Sequence, residues 1–219
     1  MIVVVGLPAY ADSPDGEKCA GGMAVDISVA ARRGGAEVEL VGKIGEDGAG
    51  DAVVVALGRL GIGHAALLRD PVRPTPVLTA AASSDDGRAE LDADSPLPAL
   101  LPANPTERPG LDAGDIEVAL RYLPQAAVIV VAESLPAAAV QVAVDAAAFA
   151  EARLVIVVPA GSELPIPLGQ ATVLEAPADD DGSFGAMVGS FASSLAAGRD
   201  PAMAFREALA ASGWESAGS

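Results

Sequence analysis

Cysteine and histidine are almost missing from this sequence, and their scarcity excludes several kinds of site. Cys19 is the single cysteine and His64 the single histidine among 219 residues. One cysteine allows neither an intrachain disulfide nor a zinc site built from cysteines. His64 follows a glycine in a loop, and we interpret it as a solvated side chain because few partners for a catalytic triad or a metal cluster surround it. We therefore predict no metal site.

Positive charge and aromatic side chains are also scarce. The chain has 13 basic and 30 acidic residues, which gives a net charge of −17, and 3% of its residues are aromatic. A surface this acidic repels polyanions, so we expect no binding to nucleic acid or to an anionic membrane. Because 51% of the residues are hydrophobic but so few are aromatic, the core must be built from Val, Leu, Ile and Ala.

Long uninterrupted hydrophobic runs are missing as well. The most apolar region, residues 126–150, contains Glu133, Pro136 and Asp145, which is unlike a membrane-spanning helix. The start of the sequence has no basic segment before its apolar run, so we predict no signal peptide. We expect a soluble, cytoplasmic protein.

Short apolar runs alternate with helical patterns along most of the chain. Residues 2–5 and 127–131 are apolar throughout, which is typical of strands buried on both faces of a parallel sheet. Helices are predicted between such strands, among others over residues 136–150 and 182–197. The alternation predicts an α/β fold with helices on both faces of a mostly parallel sheet, in a single domain over residues 1–219.

Two regions interrupt this alternation. Residues 7–18 and 92–114 are rich in proline, aspartate and glycine, and we interpret both as loops. A strand is predicted over residues 77–81, and a strong turn signal at residues 83–87 follows it. A small β-hairpin over residues 76–91 is therefore predicted.

The most regular stretch runs from Cys19 to Ile62 and is punctuated by glycines. A glycine pair at 21–22 precedes a predicted helix, and a second pair at 34–35 ends it. A strand then leads through a glycine-rich turn into a second predicted helix, which stops at Gly61. Ligands bind outside the carboxyl ends of the strands in parallel sheets, and the glycine turns are predicted to lie there. A ligand site is therefore expected at these turns.

The same stretch resembles the amino-terminal signature of the ribokinase/PfkB family of sugar kinases. The glycine pair followed by Asp26 is similar to the family's GG-x-x-x-N-x-A segment, and residues 41–51 are similar to its G-x-x-G-x-D-x-x-G turn. Residues 155–160 resemble the family's strand ending in N-P-A, and residues 182–191 resemble the segment around G-A-G-D-x-F-x-G-x-F. The resemblance implies a ribokinase-like three-layer α/β/α fold, truncated, in which the predicted hairpin is the remnant of a lid.

The resemblance also implies a sugar site. In the family, the glycine pair and the following asparagine hold sugar hydroxyls, and Asp26 takes the position of that asparagine. A carboxylate accepts hydrogen bonds from hydroxyls, although it cannot donate as an amide does; alternatively, Asp26 only stabilises the first turn of its helix. We expect Gly45, Asp47 and Gly50 to shape the turn between strand and helix. The residues implied to contact a sugar-like ligand are Gly21, Gly22, Asp26 and Gly42.

The motif that carries the family's chemistry is degenerate in this chain. In the family, glycines expose N–H groups at a helix N-terminus to the transferring phosphoryl group, and the aspartate after them accepts the proton. Here a phenylalanine, Phe184, replaces the second glycine, and Gly185 replaces the catalytic aspartate. We expect Phe184 to crowd the backbone away from a phosphate. The remnant of the anion site comprises Gly182, Ser183, Phe184 and Gly185.

Three aspartates, Asp179, Asp180 and Asp181, come directly before this remnant. Their charge opposes the positive end of the helix, so the local field should repel a triphosphate. We interpret them as helix caps; alternatively, one of them is the base of a shifted catalytic site or holds a metal. The family's N-x-x-E motif and its T-x-G-x-x-G nucleotide segment are not found between residues 159 and 179.

Three functions are consistent with the sequence. The first, which we predict, is a ribokinase-like pseudokinase that binds a sugar-like small molecule but has lost or weakened ATP-dependent phosphotransfer. The second is an active, divergent carbohydrate kinase that uses ATP and Mg²⁺ to phosphorylate a sugar or nucleoside hydroxyl. The third is a protein that assembles, for instance as a homodimer, through exposed sheet edges. No cofactor is expected unless the second function applies.

Overall fold

Strands and helices alternate along the chain, as the sequence predicts. The structure is a computed structural model that describes residues 1–12, 18–78, 108–162, 166–177 and 182–212. The strands in these residues are β1 Ile2–Val5, β2 Ala9–Asp12, β3 Lys18–Gly21, β4 Val38–Gly45, β5 Leu67–Asp70, β6 Val77–Leu78, β7 Val128–Val131, β8 Arg153–Pro159 and β9 Thr172–Ala176. The helices are α1 Met23–Arg33, α2 Gly48–Arg59, α3 Ala113–Arg121, α4 Ala137–Phe149, α5 Ser183–Ala196 and α6 Pro201–Ser212.

Six strands form one parallel sheet in the order β5-β4-β1-β7-β8-β9. Ile2 of β1 lies opposite both Val38 and Val128, which fixes the register at the centre of the sheet. Every residue of β1 and β7 is buried, because helices cover both faces. The predicted parallel sheet is confirmed.

The helices form two layers on opposite faces of the sheet. Side chains of α1, α2, α5 and α6 pack with Ile2 and Val4 in one hydrophobic cluster. Those of α3 and α4 pack with Val3 and Val5 in the other, because successive side chains of a strand point to opposite faces. The result is the three-layer α/β/α arrangement that was predicted. Among the described residues, no helix combines the length and the apolar character that crossing a membrane requires.

A second, small sheet packs against α2. Its order is β3-β2-β6, with β2 antiparallel to β3 and parallel to β6. The interpretation of residues 7–18 as loop is wrong, since β2 lies within them and β3 begins at their end. These strands have at most four residues each, and the N–H of Tyr10 donates to the distant carbonyl of Pro76 at 2.8 Å, so local sequence signals do not reveal them. Of the predicted hairpin over 76–91, residues 79–91 lie outside the described residues.

Helices α1 and α5 lie side by side at unusually short distance. A Cβ atom on Gly185 would lie 2.8 Å from the Cβ of Asp26, and one on Gly189 would lie 2.7 Å from the Cβ of Ala30. Real Cβ atoms do not approach this closely, so these two glycines permit the contact. The hydroxyl of Ser193 donates to the carbonyl of Gly34 at 3.1 Å and joins the helices at their other end. The close packing places the N-termini of α1 and α5 next to each other.

Candidate functional site

A cavity of about 470 Å³ lies at the carboxyl ends of β1, β7, β8 and β9. Residues at the starts of α1 and α5 line it, together with residues that follow the strands and Leu78 of the small sheet. Its only charged lining residues in the described part of the chain are Asp26 and Glu133. We call it the acidic cavity. Its position is the one at which parallel α/β sheets bind their ligands.

The glycine pair turns the chain from the small sheet into α1 at the edge of this cavity. Gly22 is the N-cap of α1 and has φ of 97°, a conformation that favours glycine, and no side chain caps the helix. The N–H groups of Val25 and Asp26 donate to the carbonyl of Gly22 at 2.9 and 3.0 Å. Gly21 and Gly22 both line the cavity, so the structure brings these two predicted site residues and Asp26 together.

Helix α5 begins in a similar way. Its N-cap is Gly182, in the left-handed region with φ of 92°, and a glycine supplies no capping side chain of its own. A Cβ atom on Gly182 would lie 3.6 Å from Oδ2 of Asp26, so the Asp26 carboxylate lies beside the start of α5. A helix N-terminus attracts negative charge. Asp26 therefore places a carboxylate of the chain itself where an external anion would be attracted.

The segment at residues 182–185, which resembles the family's catalytic motif, is packed rather than open. Gly185 has no side chain to accept a proton, and the Cβ of Asp26 fills the space in which an aspartate at this position would begin. The sequence predicts that Phe184 crowds the backbone away from a phosphate. In the structure Phe184 is 3% exposed and its side chain packs in the core cluster. Ser183 follows Gly182 as the first residue of α5. The candidate bases Asp179, Asp180 and Asp181 lie outside the described residues.

Glu133 is the second carboxylate of the acidic cavity and lies two residues after the end of β7. It forms an ion pair of 3.0 Å with Arg108, and both side chains are mostly buried. Burial raises the pKa of Glu133; Arg108 and the backbone N–H groups of Leu7 and Ser134, which donate to the carboxylate, act in the opposite direction. The carboxyl group is thus held in a fixed position at the cavity wall.

Sequence reasoning missed Glu133 as a site residue. In the sequence it only interrupts an apolar region, and its partner Arg108 lies 25 residues away. The signal that could have found it is its place, since a charged residue just after a buried strand lies at the ligand-binding edge of a parallel sheet.

Gly42 does not line the acidic cavity. It lies within β4, where a Cβ atom would be 2.6 Å from the carbonyl oxygen of Gly6 and 2.9 Å from Cδ of Pro8. A side chain at this position would collide with the loop after β1. The structure therefore places Gly42 at a close contact between β4 and the backbone of Gly6.

The turn between β4 and α2 is held by Asp47. Its carboxylate accepts hydrogen bonds from the N–H of Gly50 at 2.8 Å and from both the N–H and the hydroxyl of Thr75, at 2.8 and 2.7 Å. Burial acts to raise the pKa of Asp47, but these hydrogen bonds outweigh it and lower the pKa overall. Thr75 Oγ1 in turn accepts from the N–H of Gly45 at 2.9 Å. The predicted structural role of Gly45, Asp47 and Gly50 agrees with this network.

The start of α5 presents a carboxylate, that of Asp26, where a phosphoryl group would have to lie. No three acidic, histidine or cysteine side chains come together to hold a metal ion in the part of the chain that the structure describes. The first turn of α5 has no acidic residue, and the carboxylate beside it, from Asp26, would repel a phosphoryl group.

The fold is similar to that of several solved structures. A ribokinase from Arabidopsis thaliana, solved in complex with ribose and ATP, is 16% identical, with a TM-score of 0.65 over 96% of this chain and 90% of that chain. A ribokinase from Giardia lamblia is 17% identical, with a TM-score of 0.65 over 97% and 94% of the two chains. A PfkB protein from Polaromonas is 13% identical, with a TM-score of 0.63 over 94% and 92%.

No protein-family model and no curated protein matches the sequence. The structural likeness extends over nearly the whole length of each compared chain, and at identities this low it establishes the fold alone. The chain has the ribokinase-like α/β fold.

Proposed function

We propose that this chain binds a sugar-like small molecule in the acidic cavity and has lost, or keeps only weakly, ATP-dependent phosphotransfer. The observation that carries the proposal is the contact between Asp26 and Gly185. A carboxylate suited to sugar hydroxyls lies on α1, while the position at which the resemblance implies a catalytic aspartate has neither a side chain nor space for one. These two features support the binding of a sugar without a proton acceptor at this position.

The chemistry of the cavity favours a neutral ligand with several hydroxyl groups. Asp26 and Glu133 are acceptors, and hydroxyl groups donate to carboxylates in short, strong hydrogen bonds. Val157 and Val158 form an apolar wall against which the carbon skeleton of a sugar can pack. The volume of about 470 Å³ lies within the usual range for small-molecule sites. The ribose bound in the Arabidopsis relative is a ligand of this class.

Isothermal titration calorimetry with a panel of pentoses, hexoses and nucleosides tests this proposal. At least one of these ligands should bind the wild type saturably, and Asp26→Ala should weaken its binding about tenfold or more, because a hydrogen bond to a charged group is lost. Asp112→Ala is the matched control, since Asp112 caps α3 and does not line the acidic cavity. A panel with no binding ligand, or a ligand whose affinity is the same for Asp26→Ala, contradicts the proposal.

An active, divergent carbohydrate kinase is the second candidate, favoured by the relative that was solved with both ribose and ATP. It requires a base from among Asp179, Asp180 and Asp181. ADP release in the presence of Mg-ATP and the bound sugar tests it, with Asp181→Asn as the variant. Sugar-dependent ADP release by the wild type that Asp181→Asn abolishes would establish this candidate instead of the first.

A further inference from the structure

We propose that a second cavity, on the outer side of α1, binds a small molecule that carries a phosphomonoester group. This cavity has a volume of about 460 Å³ and lies between β3, α1, the end of α2 and the start of α5. Arg33 and Arg59 both line it, and we call it the arginine pocket. The proposal concerns a different cavity from the sugar site and does not depend on the proposed function.

Neither arginine of the pocket has a carboxylate partner among the described residues. Among the described residues, neither Arg33 nor Arg59 forms an ion pair, whereas most arginines outside the pocket do. The paired ones are Arg69 with Asp51, Arg73 with Asp70, Arg108 with Glu133, Arg121 with Glu117 and Arg199 with Glu207. In a chain with 30 acidic and 13 basic residues, two unpaired guanidinium groups on one cavity concentrate positive charge there.

The helix dipole explains only part of this arrangement. Arg33 lies in the last turn of α1 and Arg59 in the last turn of α2, where positive charge is favourable. The dipole favours positive charge near the helix end but does not determine the direction in which the side chain points. Arg32, also in the last turn of α1, donates to the carbonyl of Ala36 at 2.9 Å and does not line the pocket. Arg33 and Arg59 come from two different helices and line the same cavity, which is the arrangement that recognition of one anion by two guanidinium groups requires.

The rest of the pocket suits the body of such a ligand. Its floor is formed by small and apolar side chains of α1 and α2, which are Val25, Val29, Ala30 and Ala56. Guanidinium groups bind phosphate through planar pairs of N–H donors, and an apolar floor beside them buries a ring or a short carbon chain. Asp26 and Gly182 lie at the end that adjoins the acidic cavity. The phosphate is therefore assigned to the end with the arginines.

Phenyl phosphate is a suitable probe, because it joins a phosphomonoester to an apolar ring. Titration of the full chain by calorimetry at low ionic strength should give saturable binding of phenyl phosphate and none of phenol. Arg33→Gln and Arg59→Gln should each weaken binding about tenfold, the usual effect of losing a charged hydrogen-bond donor. Arg121→Gln is the matched control, since this arginine is exposed and paired on α3. Both pocket arginines are exposed at the surface, and circular dichroism verifies that the variants are folded.

Added salt should also weaken binding, because it screens exposed charges. Arg59→Lys should bind with intermediate affinity, because it keeps the charge and loses the paired donors. The double variant, Arg33→Gln with Arg59→Gln, serves as the final check. The proposal is overturned if the wild type does not bind phenyl phosphate saturably, or if this double variant binds it as tightly as Arg121→Gln does.

Discussion

Helices α1 and α5, which begin at the acidic cavity, have N-caps different from those of α2 and α3. Helices α1 and α5 begin with Gly22 and Gly182, both with positive φ, so the N-cap residue itself supplies no side chain. Helices α2 and α3 begin with Asp47 and Asp112, whose carboxylates accept from backbone N–H groups of the first turn. An aspartate cap closes a helix start and stabilises it. A glycine leaves room beside the helix start, which here is the room that the cavity and Asp26 occupy.

The comparison separates two aspartates that the sequence presents in similar glycine-rich surroundings. The carboxylate of Asp47 accepts hydrogen bonds from Gly50 and Thr75 within the fold. Asp26 lines a cavity and lies against a neighbouring helix start. Asp47 therefore holds the turn between β4 and α2, whereas Asp26 lies at the acidic cavity.

The largest effect is expected when an aspartate is introduced at Gly185, the position at which the resemblance implies a catalytic base. Gly185→Asp should destabilise the fold by about 3 kcal/mol, because its Cβ would lie 2.8 Å from that of Asp26 and its charge would oppose a like charge. Urea unfolding measures the loss. Gly185→Ala is the control, since it introduces the same Cβ without the charge and should cost less. If Gly185→Asp is as stable as the wild type, the close contact between α1 and α5 is wrong.

The second-largest loss of stability is expected when an aspartate N-cap is removed. Asp47→Ala is expected to lower the free energy of unfolding by about 2–3 kcal/mol, since it removes a cap and leaves Thr75 without its acceptor. Asp112→Ala removes a capping box at an exposed site and should cost about 1 kcal/mol. Equal losses in the two variants would show that the network around Thr75 adds nothing to stability.

Gly189→Ala tests the helix contact with a smaller change. Its Cβ would meet the carbonyl of Ile27 and lie 2.7 Å from the Cβ of Ala30, so a net loss of roughly 1–2 kcal/mol is expected despite the better helix propensity of alanine. Gly58→Ala in α2 is the matched control, because the nearest atom to its Cβ is 3.9 Å away. That control should gain up to about 1 kcal/mol, and a gain in both variants would contradict close packing.

The smallest expected effect is a pH dependence of the Asp47 network. The pKa of Asp47 is lowered in the fold, although burial alone would raise it. The carboxylate therefore adds stability above its unfolded pKa of about 4 and loses it as the pH falls through the lower folded pKa. Asp47→Asn can still cap the helix, so it should cost about 1 kcal/mol at neutral pH, and this difference from the wild type should shrink below pH 4. A difference that is constant with pH would contradict this assignment.

Much of the fold could be predicted from the sequence because its signals are local. Continuous apolar runs located the central strands, and glycines at 21–22 and 34–35 bounded α1 within a residue or two. The small sheet could not be predicted, since its strands are short and β2 is completed by Val77 far along the chain.

Only the part of the candidate site that α1 and its N-cap contribute could be predicted from the sequence. Gly21, Gly22 and Asp26 are neighbours in sequence, and a resemblance to a known motif was enough to group them. Glu133 reaches the cavity through the order of the strands, and the role of Gly185 depends on its distance from α1. Such non-local contacts leave no pattern in a single sequence, which is why the sequence suggests a missing base at Gly185 but not its packing against α1.

The most direct test of the central claim is a search for phosphorylated product by mass spectrometry, after incubation of the chain with Mg-ATP and each sugar or nucleoside that calorimetry shows to bind. We predict saturable binding that depends on Asp26, with no phosphorylated ligand and no ligand-dependent ADP. Turnover of a bound sugar at the rate of an ordinary kinase, about 1–100 per second, would contradict the account, because the start of α5 would then function as a phosphoryl-transfer site in spite of Gly185.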